Sequence, residues 1–546
     1  MLLELIFPKR IIESQGVSDN GDILSNRETQ VLLAQPPMMV IPEKGFVVFD
    51  FGQEIYGRLH LITQSGPAGE IRIRLGESVA ECYAELGEDN AGNYHSLRDC
   101  KLPIISYADL MTNDSGFRFA RIDVVSGGPL QIRNVFAESK YFSTDNEGYF
   151  KSNDETVNKI FDVAKHTTSL CIQNGVVWDG AKRDRLVWIG DFHPEILSIA
   201  SVYGCIEEIE NVLDHGAVYM SNGVWTNCIP AYSAWWLICL NEYYRHYGKK
   251  EYVLRQIPVI KKVLAAFNEI VLEDGSISFK NSTLKYFEKN DFFFDWPTNF
   301  TEDSYYGWVS IIQYACQETQ KLLAEFGENA EMADSLYERL RKNKTIASTF
   351  KQVEAWQYLS GRKTAADVKD ALLNGGAKGM TGFMGYYILT AAVEAGGNAE
   401  VLTMIKDFYG AMLDCGATSF WEDFDVEWME DQPQGLEEIP TKDRKNIHRD
   451  YGKYCYTGLR HSLCHGWTAG VLAFFTRTVL GVKPIAPGYS KVQIKPNLLG
   501  LTEVEGRIPT PHGDIYVKHM LQNGELVSDI QLPQGVEIDN NETNIY

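Results

Sequence analysis

The feature that most constrains this chain is its hydrophobic period, which changes twice along its length. Up to about residue 145, apolar residues tend to recur at every second position. In Glu70–Ser78, EIRIRLGES, Ile71, Ile73 and Leu75 point one way and Arg72 and Arg74 the other. Successive side chains of a strand alternate faces, so this spacing predicts β-structure. Phe117–Val125, FRFARIDVV, alternates again, and Gly45–Gly52, GFVVFDFG, is an apolar run between glycines. A run of that kind suits a strand buried on both faces. With Gly and Pro punctuating the segments, residues 1–148 read as an N-terminal β-sandwich.

The period shifts at Ser152-Asn153-Asp154-Glu155. Ser152 and Glu155 have the capping-box spacing that satisfies free N–H groups at a helix start. Val157, Ile160, Phe161, Ala164 and Cys171 then follow helical spacing. Helical segments alternate with glycine breaks to about Gly481. Tyr232–Tyr247 stops at Gly248, Ser304–Phe326 at Gly327, and Gly382–Ala395 at Gly396-Gly397. Glycine just past a helix supplies the left-handed residue that ends it. At ordinary helix and loop lengths this stretch holds about twelve helices. Twelve can close as six hairpins, an (α/α)6 toroid over residues 149–482; an open solenoid has the same periodicity. After Pro484 alternation returns in Lys491–Lys495, KVQIK. Asn523-Gly524 between Gly513–Leu521 and Glu525–Leu532 is a strong hairpin turn. Residues 483–546 therefore read as a small C-terminal β-domain, too small to stand alone and packed on its neighbour.

Charge excludes several partners. Acidic residues number 73 against 51 basic ones, a net charge of −22. Such a chain repels phosphate backbones and anionic membrane surfaces. No apolar run approaches the ~20 residues of a membrane span. The start, MLLELIFPKR, puts its basic pair after a short apolar stretch broken by Glu4. A secretory signal has the opposite order, so the expectation is a soluble cytoplasmic protein, or a periplasmic or secreted one whose signal has been removed. The 10 cysteines form no CxxC pair and read as reduced, buried thiols. Phosphate-binding glycine loops and the GxSxG elbow are absent, so no cofactor is expected. His461 and His465, at i and i+4, would share a helix face, but the HExxH glutamate and a third ligand are missing, so no metal is expected. The sequence leaves oligomeric state open, a homodimer included.

Three clusters carry the chemistry. Trp178–Glu195, WDGAKRDRLVWIGDFHPE, holds Asp179, Arg183, Asp184, Arg185, Trp188 and Asp191. If the part after Arg183 is helical, Asp184, Trp188 and Asp191 share one face. A solvated charged turn is the ordinary reading of such a cluster, but it has no need of two tryptophans. Carboxylates beside flat aromatic faces suit a sugar: the acids bind hydroxyls or move protons, and the rings cover the C–H face. In Gly416–Trp428, GATSFWEDFDVEW, Trp421 adjoins Glu422; in Asp291–Trp296, DFFFDW, Asp295 adjoins Trp296. For these two, an acidic loop with core aromatics and a buried aromatic helix start are equally open.

Together the clusters resemble family 78 of the glycoside hydrolases, the α-L-rhamnosidases. The family's D-x-P-x-R-(D/E)-R-x-G-W-x-G-D pattern is matched at Asp179, Arg183, Asp184, Arg185, Trp188, Gly190 and Asp191. GATSFWE is similar to the family's GATTxWE, and CHGW at Cys464–Trp467 to its NH-containing segment. FDFGQEIYGRLHL near the start and PGYSKVQIKP near the end extend the likeness over most of the chain. Three positions depart: Asp184 stands where Glu is usual, Val187 where Gly is, and Cys464 where Asn is. The resemblance implies the toroid with flanking β-domains and an inverting exo-α-L-rhamnosidase acting on a small-molecule or oligosaccharide substrate. It places Asp184 as general acid and Glu422 as general base. It gives Asp179 and Asp191 to sugar hydroxyls, and Trp188, Asp295, Trp296, Trp421 and His465 to the pocket lining, with Arg183 in the substrate site. Two other readings share this toroid: a polysaccharide lyase using a tyrosine or histidine base, and a sugar-binding homologue without catalysis.

Overall fold

The computed structural model describes residues 1–19, 23–453 and 457–539. The apolar run at Gly45–Gly52 is part of one strand, Phe46–Thr63, far longer than the run itself. Its first part pairs with Arg10–Gln15 and Ser115–Gly127, its last part with Leu130–Tyr141 and Asp109–Met111. A register shift between Asp50 and Ile55 marks the crossing. The strand thus passes between layers, and one antiparallel hydrogen-bonded sheet folds around a core that includes Val47, Phe49, Ile73, Ile122 and Val135. Burial on both faces explains why this strand lacks alternation.

The central region closes. Among the described residues the inner helices are Phe192–Val202, Pro230–Tyr247, Glu302–Glu325, Lys351–Leu359, Gly385–Glu394 and the turns of residues 466–479. Each packs on the next, and Val471–Phe474 packs on both Gly385–Glu394 and Phe192–Val202. That last contact completes a ring and excludes the open solenoid. The outer helices are Glu155–Cys171, Glu207–Ser221, Lys250–Ile270, Glu331–Leu340, Ala365–Leu373 and residues 399–414. Inner helices are wrapped by neighbours, and every residue of Phe192–Val202 is buried. Outer helices keep one wet face: Glu155–Cys171 buries Val157, Ile160, Phe161 and Ala164 and exposes its acidic start. The residue capping that helix is Asp154, whose side chain accepts from Val157 N at 3.1 Å, rather than Ser152. Ser152 instead bonds the side chain of Asn158.

At the other end, Asn523 (φ 55°) and Gly524 (φ 87°) make the expected tight turn between Gly513–Gln522 and Glu525–Gln531. The sheet also takes Tyr149–Ser152, from before the toroid, as a strand beside Glu503–Thr510. Val504, Ile508, Ile515 and Val517 lie in the same core as the toroid helices, as a unit too small for its own core requires. Of the described cysteines none is paired; Cys100 and Cys228 are half-buried and Cys205 is exposed, contrary to the expectation of buried thiols throughout. Cys455 lies outside the described residues. No helix among the described residues is long and apolar enough to cross a membrane.

Gly248 ends Pro230–Tyr247 at φ 63°, and a Cβ there would meet Gly488 Cα at 3.0 Å. Gly248→Ala therefore combines left-handed strain with a backbone contact. It is expected to cost about 1–2 kcal/mol, read as a lower urea midpoint with an unchanged slope.

Candidate active site

Residues 178–191 do not form the helix that would have put Asp184, Trp188 and Asp191 at successive turns. Asp184 and Arg185 both have φ 53°, left-handed values that no helix admits, and the helix begins only at Phe192. The loop is held by its partners instead. Asp179 Oδ1 accepts from Leu186 N at 3.0 Å, and the Asp179 carbonyl accepts from Gly466 N at 2.7 Å. Asn227 accepts from Ile189 N and donates to the Val187 carbonyl, both at 3.0 Å. Arg185 turns away from the cavity and donates to the carbonyls of His95 and Asp114 in the N-terminal sheet region. Lys182 is buried, its Nζ 2.9 Å from Glu77 and 2.8 Å from the His461 carbonyl.

These constraints bring the acids together. Arg183 Nη1 lies 3.0 Å from Asp184 Oδ1, and its Nη2 donates to Glu422 Oε2. One guanidinium thus bridges two carboxylates from distant loops. Glu422 is anchored by its backbone: its N–H donates to the Ser462 carbonyl at 3.0 Å, and its carbonyl accepts from Trp467 Nε1 at 3.0 Å. His465 Nε2 sits 3.9 Å from Asp179, 3.8 Å from Asp191 and 3.9 Å from Glu422. Asp179, Asp184, Trp188, Asp191, Trp296, Glu422 and His465 line a cavity of about 160 Å³ with Tyr232, Asn290, Phe293 and Trp467.

Burial pushes the carboxyls of Asp179, Asp191 and Glu195 well above the usual carboxylate range, and the neighbouring acids push them further. Burial also holds His465 well below its usual value, with Arg183 acting the same way. Burial therefore favours the neutral forms of these carboxyls and of the imidazole, and neutral forms can both donate to and accept from hydroxyls.

The remaining expected residues fall around this centre. Asp295 lines an adjoining smaller pocket with Trp296, Glu422, Asp423, His461 and Trp467. Its carboxylate accepts from Trp296 N at 2.8 Å, Thr381 Oγ1 at 2.9 Å and Gln352 Nε2 at 3.0 Å. Burial still pushes it up to about 7. Trp421 is buried edge-on to Phe424, with ring centroids 5.5 Å apart, and lines neither pocket. His461 and His465 share no helix face; each flanks a short 3-10 turn. His461 Nε2 accepts from Asp423 N at 2.8 Å while His465 faces the acids.

Several residues went unread in the sequence. Glu195, i+4 from Asp191, was recoverable from helical spacing. His95, whose Nε2 lies 3.4 Å from Asp184 Oδ1, comes from the N-terminal region and had no local signal. Glu77, Glu81 and His448 lie close enough to hold a cation. Lys182 already occupies that position, and His448 is engaged with Ser78 Oγ at 2.7 Å and the His461 carbonyl at 3.0 Å, so these residues do not fit a metal.

The chain matches the family described as bacterial alpha-L-rhamnosidase 6 hairpin glycosidase domain over residues 145–479. Residues 481–539 match the bacterial alpha-L-rhamnosidase C-terminal domain. The chain is 24% identical to an alpha-L-rhamnosidase of Alteromonas sp. (strain LOR), over 91% of this chain and 56% of that protein. It superposes on a GH78 family rhamnosidase of Bacillus sp. GL1 with a TM-score of 0.73 and 21% identity, covering 95% of this chain and 56% of that one. It also superposes on a rhamnosidase from Klebsiella oxytoca with rhamnose bound, with a TM-score of 0.69 and 19% identity, covering 87% and 96%. The chain thus spans little more than half the length of the curated relative.

Two stability tests follow from the buried charges. Lys182→Met leaves Glu77 and Glu81 buried without their cation, and an unfolding free energy lower by about 3–5 kcal/mol is expected at pH 7. Burial, then the like charges of Glu422 and Asp295, push Asp423 up to about 7. An acid whose pKa rises on folding binds its proton more tightly folded than unfolded. Its contribution is present below the unfolded value, about 4, and lost as pH climbs through 7. Urea titrations should show stability falling over that window, with a shallower fall in Asp423→Asn.

Proposed function

We propose, from the premise that this chain belongs to the bacterial α-L-rhamnosidase six-hairpin glycosidase family, that it is an exo-acting glycoside hydrolase releasing terminal L-rhamnose or a close stereochemical relative with inversion. The observation that carries this reading is the Arg183 bridge. Asp184 and Glu422 grip one guanidinium, so their separation cannot exceed two ion-pair lengths plus the span of that group. Inversion needs a gap of about 6.5–9.5 Å that admits one water, and this bound is compatible with it. A cavity of about 160 Å³ supports an exo mode, since it suits a single terminal sugar better than a chain passing through. Domain boundaries near residues 148 and 482 belong to the same proposal.

In this mechanism Asp184 gives a proton to the glycosidic oxygen as the C1–O bond breaks. Glu422 takes a proton from a water that adds to C1 from the opposite face. Arg183 moves with the charge, partnering whichever carboxylate is ionised. Asp179, Asp191 and His465 hold the sugar hydroxyls, and the rings of Trp188 and Trp296 cover its apolar face. His95, neutral because burial lowers its pKa, backs the shortened Asp184 side chain.

General acids and bases each contribute about 10²- to 10⁴-fold. Asp184→Asn should lose that much on an alkyl α-L-rhamnoside and much less on p-nitrophenyl α-L-rhamnoside, whose leaving group needs little protonation. Glu422→Gln should lose it on both. NMR should show the β-anomer first. Retention, or equal mild losses for Asp184→Asn on both substrates, contradicts the assignment; an unsaturated, UV-absorbing product indicates a lyase.

A further inference from the structure

The toroid encloses more space than the candidate active site uses. Trp235, buried on the axis, packs against His193, Trp356, Phe383 and Tyr387 at ring-centroid distances of 5.6, 5.3, 5.9 and 5.6 Å. This aromatic partition has two sides. Phe383 lines the small pocket beside Glu422, whereas His193, Trp356 and Tyr387 line a separate cavity of about 360 Å³. That is more than twice the volume of about 160 Å³ found around Asp184, and it falls within the range of small-molecule sites. Its lining includes Arg245, Lys321, Leu359 and Arg477 from the later turns of the inner helices, and Lys483–Pro487 beyond them.

The wall of this cavity is charged but balanced. Arg245 donates to Glu242 at 3.0 Å and to Glu318 at 2.6 Å. Lys321 pairs with Glu318 at 2.7 Å, Arg477 with Glu242 at 3.5 Å, and Lys483 with Glu394 at 3.9 Å. Glu325 accepts from Tyr244 at 2.8 Å. Four cations face four carboxylates, so nothing in the wall selects a charged ligand. Asn241, Thr390 and Gln493 also line the cavity, neutral groups that can both donate and accept. Tyr314, Tyr358, Tyr386 and Tyr387 add aromatic surface between them. Polar atoms interleaved with rings suit a molecule that alternates hydroxyls with C–H faces.

We propose that this second cavity binds a neutral, hydroxyl-rich ligand of mono- to disaccharide size, independently of the hydrolytic site. The inference rests on the cavity wall and stands whether or not the chain hydrolyses a glycoside. Calorimetric titration of the full chain with sucrose, maltose, D-mannose and L-rhamnose tests it, with D-glucuronate and D-glucosamine as charged controls. At least one neutral sugar should bind, and Thr390→Trp, which fills the cavity from helix Gly385–Glu394, should weaken that binding at least about tenfold. Hydrolysis of p-nitrophenyl α-L-rhamnoside should be unchanged by it. Gln493→Trp, entering from the C-terminal domain, fills the same space and serves if Thr390→Trp lowers the melting temperature. Absence of saturable binding by every neutral sugar up to roughly 10 mM overturns the proposal. So does equal affinity for the charged controls, or binding that survives both filling variants and disappears in Trp188→Ala.

Discussion

The cavity around Asp184 is organised by one cation among many acids. Asp179, Asp184, Asp191, Glu195 and Glu422 crowd a space where water cannot screen them, and like charges in such a medium repel strongly. The protein resolves this in two ways. Burial pushes Asp179, Asp191 and Glu195 toward their neutral forms. Arg183 pairs the remaining two, Asp184 and Glu422. The division lowers the repulsion among the acids. Neutral carboxyls can donate hydrogen bonds as well as accept them, while the bridged pair shares one guanidinium.

That arrangement depends on the N-terminal sheet. Two loops supply Asp184 and Glu422, and a buried cation ties each to the sheet region. In residues 178–191, Lys182 reaches Glu77 and Glu81. In residues 416–428, the Gly416 carbonyl accepts from Arg118 at 2.7 Å, and Arg118 also holds Asp50 at 2.8 Å. The sheet further contributes His95 beside Asp184. Left-handed backbone at Asp184 and Arg185 would be unfavourable in isolation and persists because these contacts over-determine it.

How much of this was legible in the sequence follows from which forces are local. The switch of period at residues 152 and 484 reports burial on one face of each element, a local property, and the layered architecture followed from it. Ring closure did not, because it rests on Val471–Phe474 meeting Phe192–Val202 across the whole domain. Acid–indole pairs such as Trp188 with Asp191 and Asp295 with Trp296 pointed to the cavity because side-chain chemistry survives any backbone path. The path itself was open: residues 184–191 have helical spacing but take their shape from Asn227 and His95. Trp421 shows the limit of the same signal, since adjacency to Glu422 cannot say on which side of the chain the ring lies. His95 was invisible, being brought in only by tertiary packing.

The ring also explains why its two ends differ. Every inner helix returns through an outer one, so all inner helices run the same way. Asp191, Thr381 and His465 stand at or just before helix starts, and Asp295 precedes Glu302–Glu325. Helix N-termini present unpaired N–H groups and partial positive charge, which favours acids and oxygen-rich ligands at that mouth. The opposite mouth collects C-terminal ends, whose carbonyls favour cations, and there Arg245, Lys321 and Arg477 sit in or near the last turns. Burial pushes Glu242 up, but Arg477 and Arg245 together hold it below the usual carboxylate range, so cations and carboxylates offset one another at that end. With Trp235 and its neighbours closing the axis between them, parallel helix direction alone gives one barrel two cavities of opposite electrostatic origin, one crowded with acids and one balanced by arginines.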